Sequence, residues 1–132
     1  MTERPSETHR AETHLTETRL ADGRRLVVRP ARPDDTDAVV RLYTSLSLDD
    51  RYRRFFSGFH PRRAFVAQWI SAAERGGCSL VAEVVADDRP VEIVGEAGYA
   101  LVADGGAEFA ITVAHDWRGW LGPYLLDVLV EY

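Results

Sequence analysis

The stretch from Ala107 to Pro123 reads AEFAITVAHDWRGWLGP, and it indicates a strand that leads through a glycine-containing loop into a helix. Polar and apolar residues alternate over its first part, which is typical of a strand with one face against a core. The loop is predicted over 118–123, and a helix is predicted from Gly122 onwards. The apolar face of the strand consists of Phe109, Ile111 and Val113, and the helix stripe consists of Leu125, Val128, Leu129 and Tyr132.

The loop between this strand and this helix has the properties of an anion-binding site. Backbone N–H groups at the start of a helix have no partner within the helix, and the helix dipole adds partial positive charge there. Gly119 and Gly122 keep the backbone accessible, and Arg118 adds a full positive charge. The sequence does not match the dinucleotide fingerprint, and it lacks the lysine of a nucleoside-triphosphate loop. An ordinary turn with a capping glycine has the same pattern, so both interpretations stay open at this point.

Upstream of this stretch, strand patterns surround two helix patterns. The order β-α-α-β-β-β-loop-α indicates an α+β fold, with a mixed, mostly antiparallel sheet flanked by helices. Glycine marks the irregular points, with Gly23 in a hairpin turn and Gly95 or Gly98 in a bulged strand. Asp34 or Asp35 is expected to cap the first helix. The strands are predicted over 15–20, 24–29, 79–86, 91–102 and 107–114, with a hairpin turn at 104–106, and the second helix is predicted from Pro61 to Gly76.

Length and composition limit the class of protein. The chain of 132 residues fits one domain, and a hydrophobic fraction of 45% is enough for a core. No apolar run approaches the ~20 residues of a membrane span, and the first residues do not resemble a secretory signal. With one cysteine, Cys78, no internal disulfide forms, which favours the cytoplasm. Cys78 is expected to be a small buried residue rather than a nucleophile.

Residues 1–14 are predicted to form a disordered tail, followed by a domain over 15–132. The tail contains two Glu-Thr-His repeats, which end at His9 and His14. Because no cluster of further ligands with suitable spacing accompanies them, we expect no metal site and no metal cofactor.

Three stretches of the sequence resemble the GNAT family of acetyl-CoA-dependent N-acetyltransferases, and the resemblance covers about 24–132. Residues 28–35, VRPARPDD, are similar to the opening strand and helix cap of the family. Residues 46–56, LSLDDRYRRFF, are similar to a segment of the bacterial branch related to protein lysine acetyltransferases. Residues 107–119, AEFAITVAHDWRG, look like the family's fourth strand and the start of its pyrophosphate loop. The resemblance implies a GNAT-like fold and transfer of an acetyl group from acetyl-CoA to a primary amine, such as a protein lysine.

The resemblance also implies the residues that bind acetyl-CoA. In the family, the amides of a loop with the pattern Q/R-x-x-G-x-G/A hold the pyrophosphate, and Arg118 matches the first position. A gapless match puts Leu121 and Pro123 where the family has small residues, whereas one deletion puts Gly122 on the last glycine. The backbone near the end of the strand would pair with the pantetheine arm. The implied binding residues are Val113, Arg118, Gly119, Trp120 and Gly122.

Glu108 is the catalytic residue that the resemblance implies. An amine must be neutral to attack an acyl group, so a base takes its proton directly or through a water molecule. A glutamate at this position of the strand does so in the lysine-acetyltransferase-like branch. From the residues alone, a solvated glutamate near a hairpin is the plainer interpretation. His115 is expected to lie at the surface, and no role is inferred for Tyr124, which lies near the place of a tyrosine acid in some family members but not at it.

The segment over 47–59 combines arginine with aromatic residues, a pattern that binds nucleic acid in some proteins. The net charge of −5 argues against phosphate neutralisation as the main source of affinity. We therefore expect no nucleic-acid partner, with the aromatic residues packed on the sheet and some arginines at the entrance for the acceptor. The residues concerned, which continue past this segment to position 63, are Arg51, Tyr52, Arg53, Arg54, Phe55, Phe56, Phe59, Arg62 and Arg63.

Members of the family continue with a fifth strand and further elements, so the resemblance implies a domain that is incomplete at its C-terminus. Its fourth strand would then be a sheet edge, and a homodimer through that edge is one expectation. Two functions are considered. The first is an N-acetyltransferase that uses Glu108 as general base, and the alternative is a truncated non-catalytic GNAT-like module that acts by protein contact. No membrane partner is expected.

Overall fold

In the part of the chain that the structure describes, five strands form one antiparallel sheet in the order β1-β2-β3-β4-β5, so each strand pairs with the next along the chain. The computed structural model describes residues 15–46, 62–101 and 105–132. The predicted tail over 1–14 and the segment over 47–59 lie outside the described residues, as do Pro61 and position 104 of the predicted turn. The strands are β1 (Thr16–Arg19), β2 (Arg25–Pro30), β3 (Cys78–Ala86), β4 (Arg89–Leu101) and β5 (Ala107–Val113).

Helices cover both faces of this sheet. One face packs against the helix that follows β5, and the opposite face packs against the two helices that lie between β2 and β3. Within the described residues, short 3-10 turns join helices to strands at three places. The helices are α1 (Thr36–Thr44), α2 (Arg63–Ile70) and α3 (Leu121–Glu131), and the 3-10 turns are Pro33–Asp35, Ala72–Arg75 and His115–Trp117.

The stripe of α3 that faces the sheet repeats every four residues. Leu121, Leu125 and Leu129 are all buried, as a helix lying on a sheet requires. Full burial of one such leucine contributes about 1.5–3 kcal/mol, so this stripe is a main source of stability on that face. One part of the sequence-based description is wrong. Tyr132 is 62% exposed rather than part of the stripe, because it follows the last helical turn. Within the described ranges, every pair of neighbouring strands is antiparallel.

The expected cap of the first helix has a different arrangement. Asp35 stands at the N-cap position of α1 but makes no side-chain cap to that helix. Its carboxylate instead accepts the backbone N–H of Arg32 at 2.7 Å and two N–H groups of the buried Arg29 guanidinium at 2.8 Å each. A charged guanidinium is a stronger hydrogen-bond partner than a neutral amide. Asp35 therefore forms an ion pair with Arg29 instead of the helix cap that the sequence pattern predicted.

Two glycines of β4 allow other elements to approach the strand closely. The pairing of β4 with β3 has two register shifts, one at Val94, next to Gly95, and one at Val91, so one irregularity lies beside the first of the two expected positions. A Cβ at Gly95 would lie 2.9 Å from a methyl carbon of Leu125, and one at Gly98 would lie 2.5 Å from the carbonyl oxygen of Cys78. Gly98 therefore serves the pairing of β4 with β3, whereas Gly95 makes room for α3.

Replacing Gly98 with alanine is expected to destabilise the protein more than the same change at Gly95. The Cβ at Gly98 meets backbone, which moves only with the strand, while the Cβ at Gly95 meets flexible leucine side chains. We expect Gly98→Ala to lower the free energy of unfolding by about 3 kcal/mol and Gly95→Ala by about 1 kcal/mol. Urea unfolding followed by circular dichroism measures both values, and a larger loss for Gly95→Ala would contradict the assigned close approach.

The Arg29–Asp35 pair makes stability depend on pH in the acid range. Burial raises the pKa of Asp35, but the bonds from Arg29 and from the Arg32 amide outweigh it, so the pKa of Asp35 is lowered overall. The stabilisation is therefore complete above the unfolded pKa of about 4 and is lost as the pH falls below it. Arg29 also contacts Glu83 at 3.2 Å.

Asp35→Asn is expected to cost about 3 kcal/mol at neutral pH, because it leaves a buried guanidinium with one carboxylate fewer. It should also flatten the decline of stability as the pH falls below about 4. Asp37→Asn is the matched control, since Asp37 pairs with Arg63 at 2.7 Å on the surface, and a much smaller loss is expected there. Equal losses for the two variants would show that the buried pair contributes nothing beyond an exposed one.

Candidate active site

Strand β5 carries the predicted catalytic residue and ends at the predicted loop. Ala110 packs against the α1 and α2 side, whereas Ile111 and Val113 pack against the α3 side. By alternation, Glu108 and Thr112 lie on the α1 and α2 face of the strand. Glu108 is exposed and pairs in register with Ala100, so its carboxylate is accessible to solvent. Thr112 is buried, and among the described residues its Oγ1 has no hydrogen-bond partner.

The backbone of β5 offers hydrogen-bonding groups on its outer side. The Ala114 N–H donates to the Val94 carbonyl at 2.8 Å, so the groups of Ala114 point towards β4. Because these groups alternate along an antiparallel strand, the N–H and C=O of Val113 point away from β4. Within the described ranges β5 is the last strand of the sheet, so an extended ligand can pair with Val113.

The loop after β5 exposes its backbone at the predicted anion site. Gly119 has a φ of +100°, which requires glycine, and among the described residues other than its two chain neighbours no atom lies within 4 Å of where its Cβ would be. Arg118 and Trp120 are exposed on either side of it. In the first turn of α3, Leu121 and Gly122 present N–H groups that have no partner within the helix, and Pro123 follows as the third helical residue.

Aromatic side chains surround the start of α3. The Trp120 ring lies 6.0 Å from that of Trp117 and 5.8 Å from that of Tyr124, measured between centroids. The Tyr124 hydroxyl forms hydrogen bonds with the hydroxyls of Thr16 at 3.0 Å and Thr18 at 2.9 Å. The first strand of the sheet is thereby joined to the first turn of α3.

The predicted catalytic and binding residues lie at the two ends of one strand rather than in one cluster. Five residues of extended chain, about 17 Å, separate Glu108 from Val113. The fold thus brings together Val113, Arg118, Gly119, Trp120 and Gly122 at one end, and it leaves Glu108 at the other. An extended ligand that runs along β5 can reach both ends, whereas a compact ligand cannot.

A buried carboxylate beside β5 was not anticipated from the sequence. Glu96 of β4 is fully buried, and it pairs in register with Thr112. It accepts hydrogen bonds from the Tyr43 hydroxyl at 2.6 Å and from the Trp69 indole N–H at 2.6 Å, and the Ser79 hydroxyl lies 3.4 Å away. The signal in the sequence was an acidic residue inside the otherwise apolar run over 93–101 of this strand.

Cys78 and His115 lie where the sequence predicted. Cys78 is buried, and its desolvation together with the negative charge of Glu96 raises the pKa of the thiol to about 11. The thiol therefore stays protonated near neutral pH and is a poor nucleophile. His115 is exposed at the end of β5.

A small cavity of about 130 Å³ lies between α1 and the sheet. Arg41 and Glu92, which carry opposite charges, line the cavity, and so does Ala114 near the end of β5.

Over the described ranges, no group of three or more His, Cys, Asp and Glu side chains is arranged to hold a metal ion. None of the described helices has the length and apolar character needed to cross a membrane.

Comparison with known proteins identifies the fold. No family model matches the sequence, and no curated protein matches it. Among solved structures, the GNAT domain of S. lividans PAT is similar at a TM-score of 0.71 and 23% identity, over 88% of this chain and 69% of that one. A mutant form of a cAMP-binding acyltransferase from Mycobacterium smegmatis is 21% identical over 91% of this chain and 35% of that one, at a TM-score of 0.48.

The likeness to the S. lividans domain shows that the chain has a GNAT-like acyl-CoA N-acyltransferase fold. The predicted fold class is thereby confirmed.

Proposed function

We propose that the protein transfers an acyl group, such as acetyl, from acyl-CoA to a primary amine of an acceptor, such as a protein lysine. The observation that carries the proposal is the arrangement along β5. The strand leads from an exposed carboxylate, past an outward-facing backbone at Val113, to a glycine loop at the start of a helix. In the GNAT-like fold, this arrangement supports an extended thioester substrate bound along the strand.

The residues of this chain fit two parts of a CoA molecule, the pyrophosphate and the pantetheine arm. The unpaired amides of Leu121 and Gly122, the helix dipole and Arg118 suit a pyrophosphate. The outward N–H and C=O of Val113 suit the amide groups of a pantetheine arm, which pairs with them as another strand would. The open backbone at Gly119 leaves room for phosphate oxygens.

In the proposed reaction, the amine nitrogen attacks the carbonyl carbon of the thioester. The new C–N bond forms as the C–S bond breaks, and the electron pair of that bond leaves with the sulfur. Glu108 takes the proton that the amine loses, directly or through one water molecule, and a proton ends on the CoA thiol. A base in this position contributes about 10²- to 10⁴-fold to the rate.

Glu108→Gln is expected to lower kcat by about 10²- to 10⁴-fold and to leave the affinity for acetyl-CoA within about twofold. The amide has nearly the same shape but cannot take a proton, and a base acts in the transition state rather than in binding. The loss should shrink at high pH, where more of the acceptor amine is already neutral. Release of the CoA thiol with a panel of lysine peptides measures the rate, and calorimetry measures the affinity.

Glu74→Gln is the matched control, because Glu74 is also exposed but lies in the 3-10 turn after α2. It should retain the rate of the unchanged protein. Equal rates for Glu108→Gln and Glu74→Gln would remove Glu108 from the mechanism. Absence of acetyl-CoA binding by the unchanged protein would instead favour the alternative, a module that acts by protein contact.

Arg118→Ala is expected to weaken acetyl-CoA binding by about three- to tenfold, since it removes one charged partner of the pyrophosphate. The effect should decline at high salt, because Arg118 is exposed and its charge is screened. Arg89→Ala, at the turn between β3 and β4, is the control and should bind as the unchanged protein does. Calorimetric titrations at two salt concentrations test this, and a loss shared by both variants would indicate only a general charge effect.

A further inference from the structure

The first turn of α3 has little local support for its conformation. Its N-cap residue, Trp120, makes no side-chain cap, and Gly119 before it has a positive φ. The second helical residue is Gly122, which lowers helix propensity, and the third is Pro123, which has no N–H group. A segment of this composition does not hold a fixed set of amides by itself, so other parts of the molecule must order it.

One tie to this turn comes from the first strand. The hydroxyls of Thr16 and Thr18, two residues apart on the same face of β1, both bond to the hydroxyl of Tyr124. The two threonines pair in register with Val28 and Leu26, which are fully buried. The bridge therefore connects the turn to a rigid part of the sheet, although more than a hundred residues separate its ends in sequence.

The ring of Tyr124 connects the hydrogen-bonded bridge to the loop through aromatic contacts. It packs at 5.8 Å against Trp120, which in turn packs at 6.0 Å against Trp117 in the 3-10 turn after β5. The Tyr124 N–H also donates to the Trp120 carbonyl at 3.1 Å. Holding the tyrosine thus fixes both ends of the segment that contains Gly119 and the first amides of α3.

We propose that β1 positions the acyl-CoA loop, with Tyr124 as the positioning residue and Thr16 and Thr18 as its anchors. The inference rests on the proposed function, because it assigns the amides of this loop to the pyrophosphate of acyl-CoA. Preorganised amides bind an anion without the cost of ordering them at each encounter. The bridge from β1 supplies this order in place of the missing helix cap.

Tyr124→Phe removes the hydroxyl and keeps the ring, so it tests the bridge without opening a cavity. We expect it to weaken acetyl-CoA binding by about three- to tenfold, and the double variant Thr16→Val with Thr18→Val to do the same. Combining all three changes should weaken binding no further, since each breaks the same bridge. Tyr99→Phe is the control, because Tyr99 lies on β4 beside Phe109 and takes no part in the bridge.

Hydrogen exchange of the ligand-free protein provides a second readout that needs no acetyl-CoA. In Tyr124→Phe, the hydrogen-bonded amides of the first turn of α3, at positions 124 and 125, should exchange several-fold faster, while those of β2 and β3 stay unchanged. Unchanged exchange at these two positions would overturn the inference. So would faster exchange with unchanged acetyl-CoA affinity, and in that case the proposed function would stand. If the unchanged protein binds no acetyl-CoA, the proposed function fails, and the assignment of the loop to acyl-CoA fails with it.

Discussion

The arrangement of helices over the sheet depends on the hydrogen bonds that the carboxylate of Glu96 accepts. This carboxylate lies fully buried at the centre of β4, and its two oxygens accept hydrogen bonds from α1 through Tyr43 and from α2 through Trp69. Burying a carboxylate costs several kcal/mol unless its oxygens find donors. Both helices must therefore sit where their donors reach it, which fixes them over β4 with more precision than apolar contact alone gives.

This constraint also shapes the strand next to it. Thr112 pairs with Glu96 in register, and Glu108 lies four residues earlier on the same face of β5. Glu96 and Glu108 therefore lie on the same face of the sheet, the face that α1 and α2 cover. Glu108 itself is exposed, so the two acidic residues have opposite environments: one is held by donors in the interior, and the other is exposed to solvent.

The sequence predicted the elements well but not the contacts between them. The alternation of polar and apolar residues over β5 and the four-residue spacing of leucines in α3 are properties of single segments. The strand, its two faces and the helix can therefore be inferred from the sequence alone. The partners of Glu96 and Asp35 could not, because they come from elements distant in sequence, and periodicity carries no information about which side chains meet. The same limit applied to Tyr124, whose position in the chain suggested no role, although its hydroxyl joins two ends of the domain.

The loop illustrates how tertiary contacts can compensate for local sequence. Leu121 and Pro123 stand where the resembled GNAT pattern has small residues. This departure by itself predicts weaker binding of an anion by the loop. In the structure, Pro123 is the third residue of the helix, and Leu121 is buried under it. Neither side chain occupies the open backbone at Gly119. The departures therefore fall on the helix side of the loop, where burial of Leu121 and the bridge from Tyr124 to β1 supply order that the local sequence lacks. Whether such a loop can bind an anion is then decided by what holds it in place rather than by its glycine spacing.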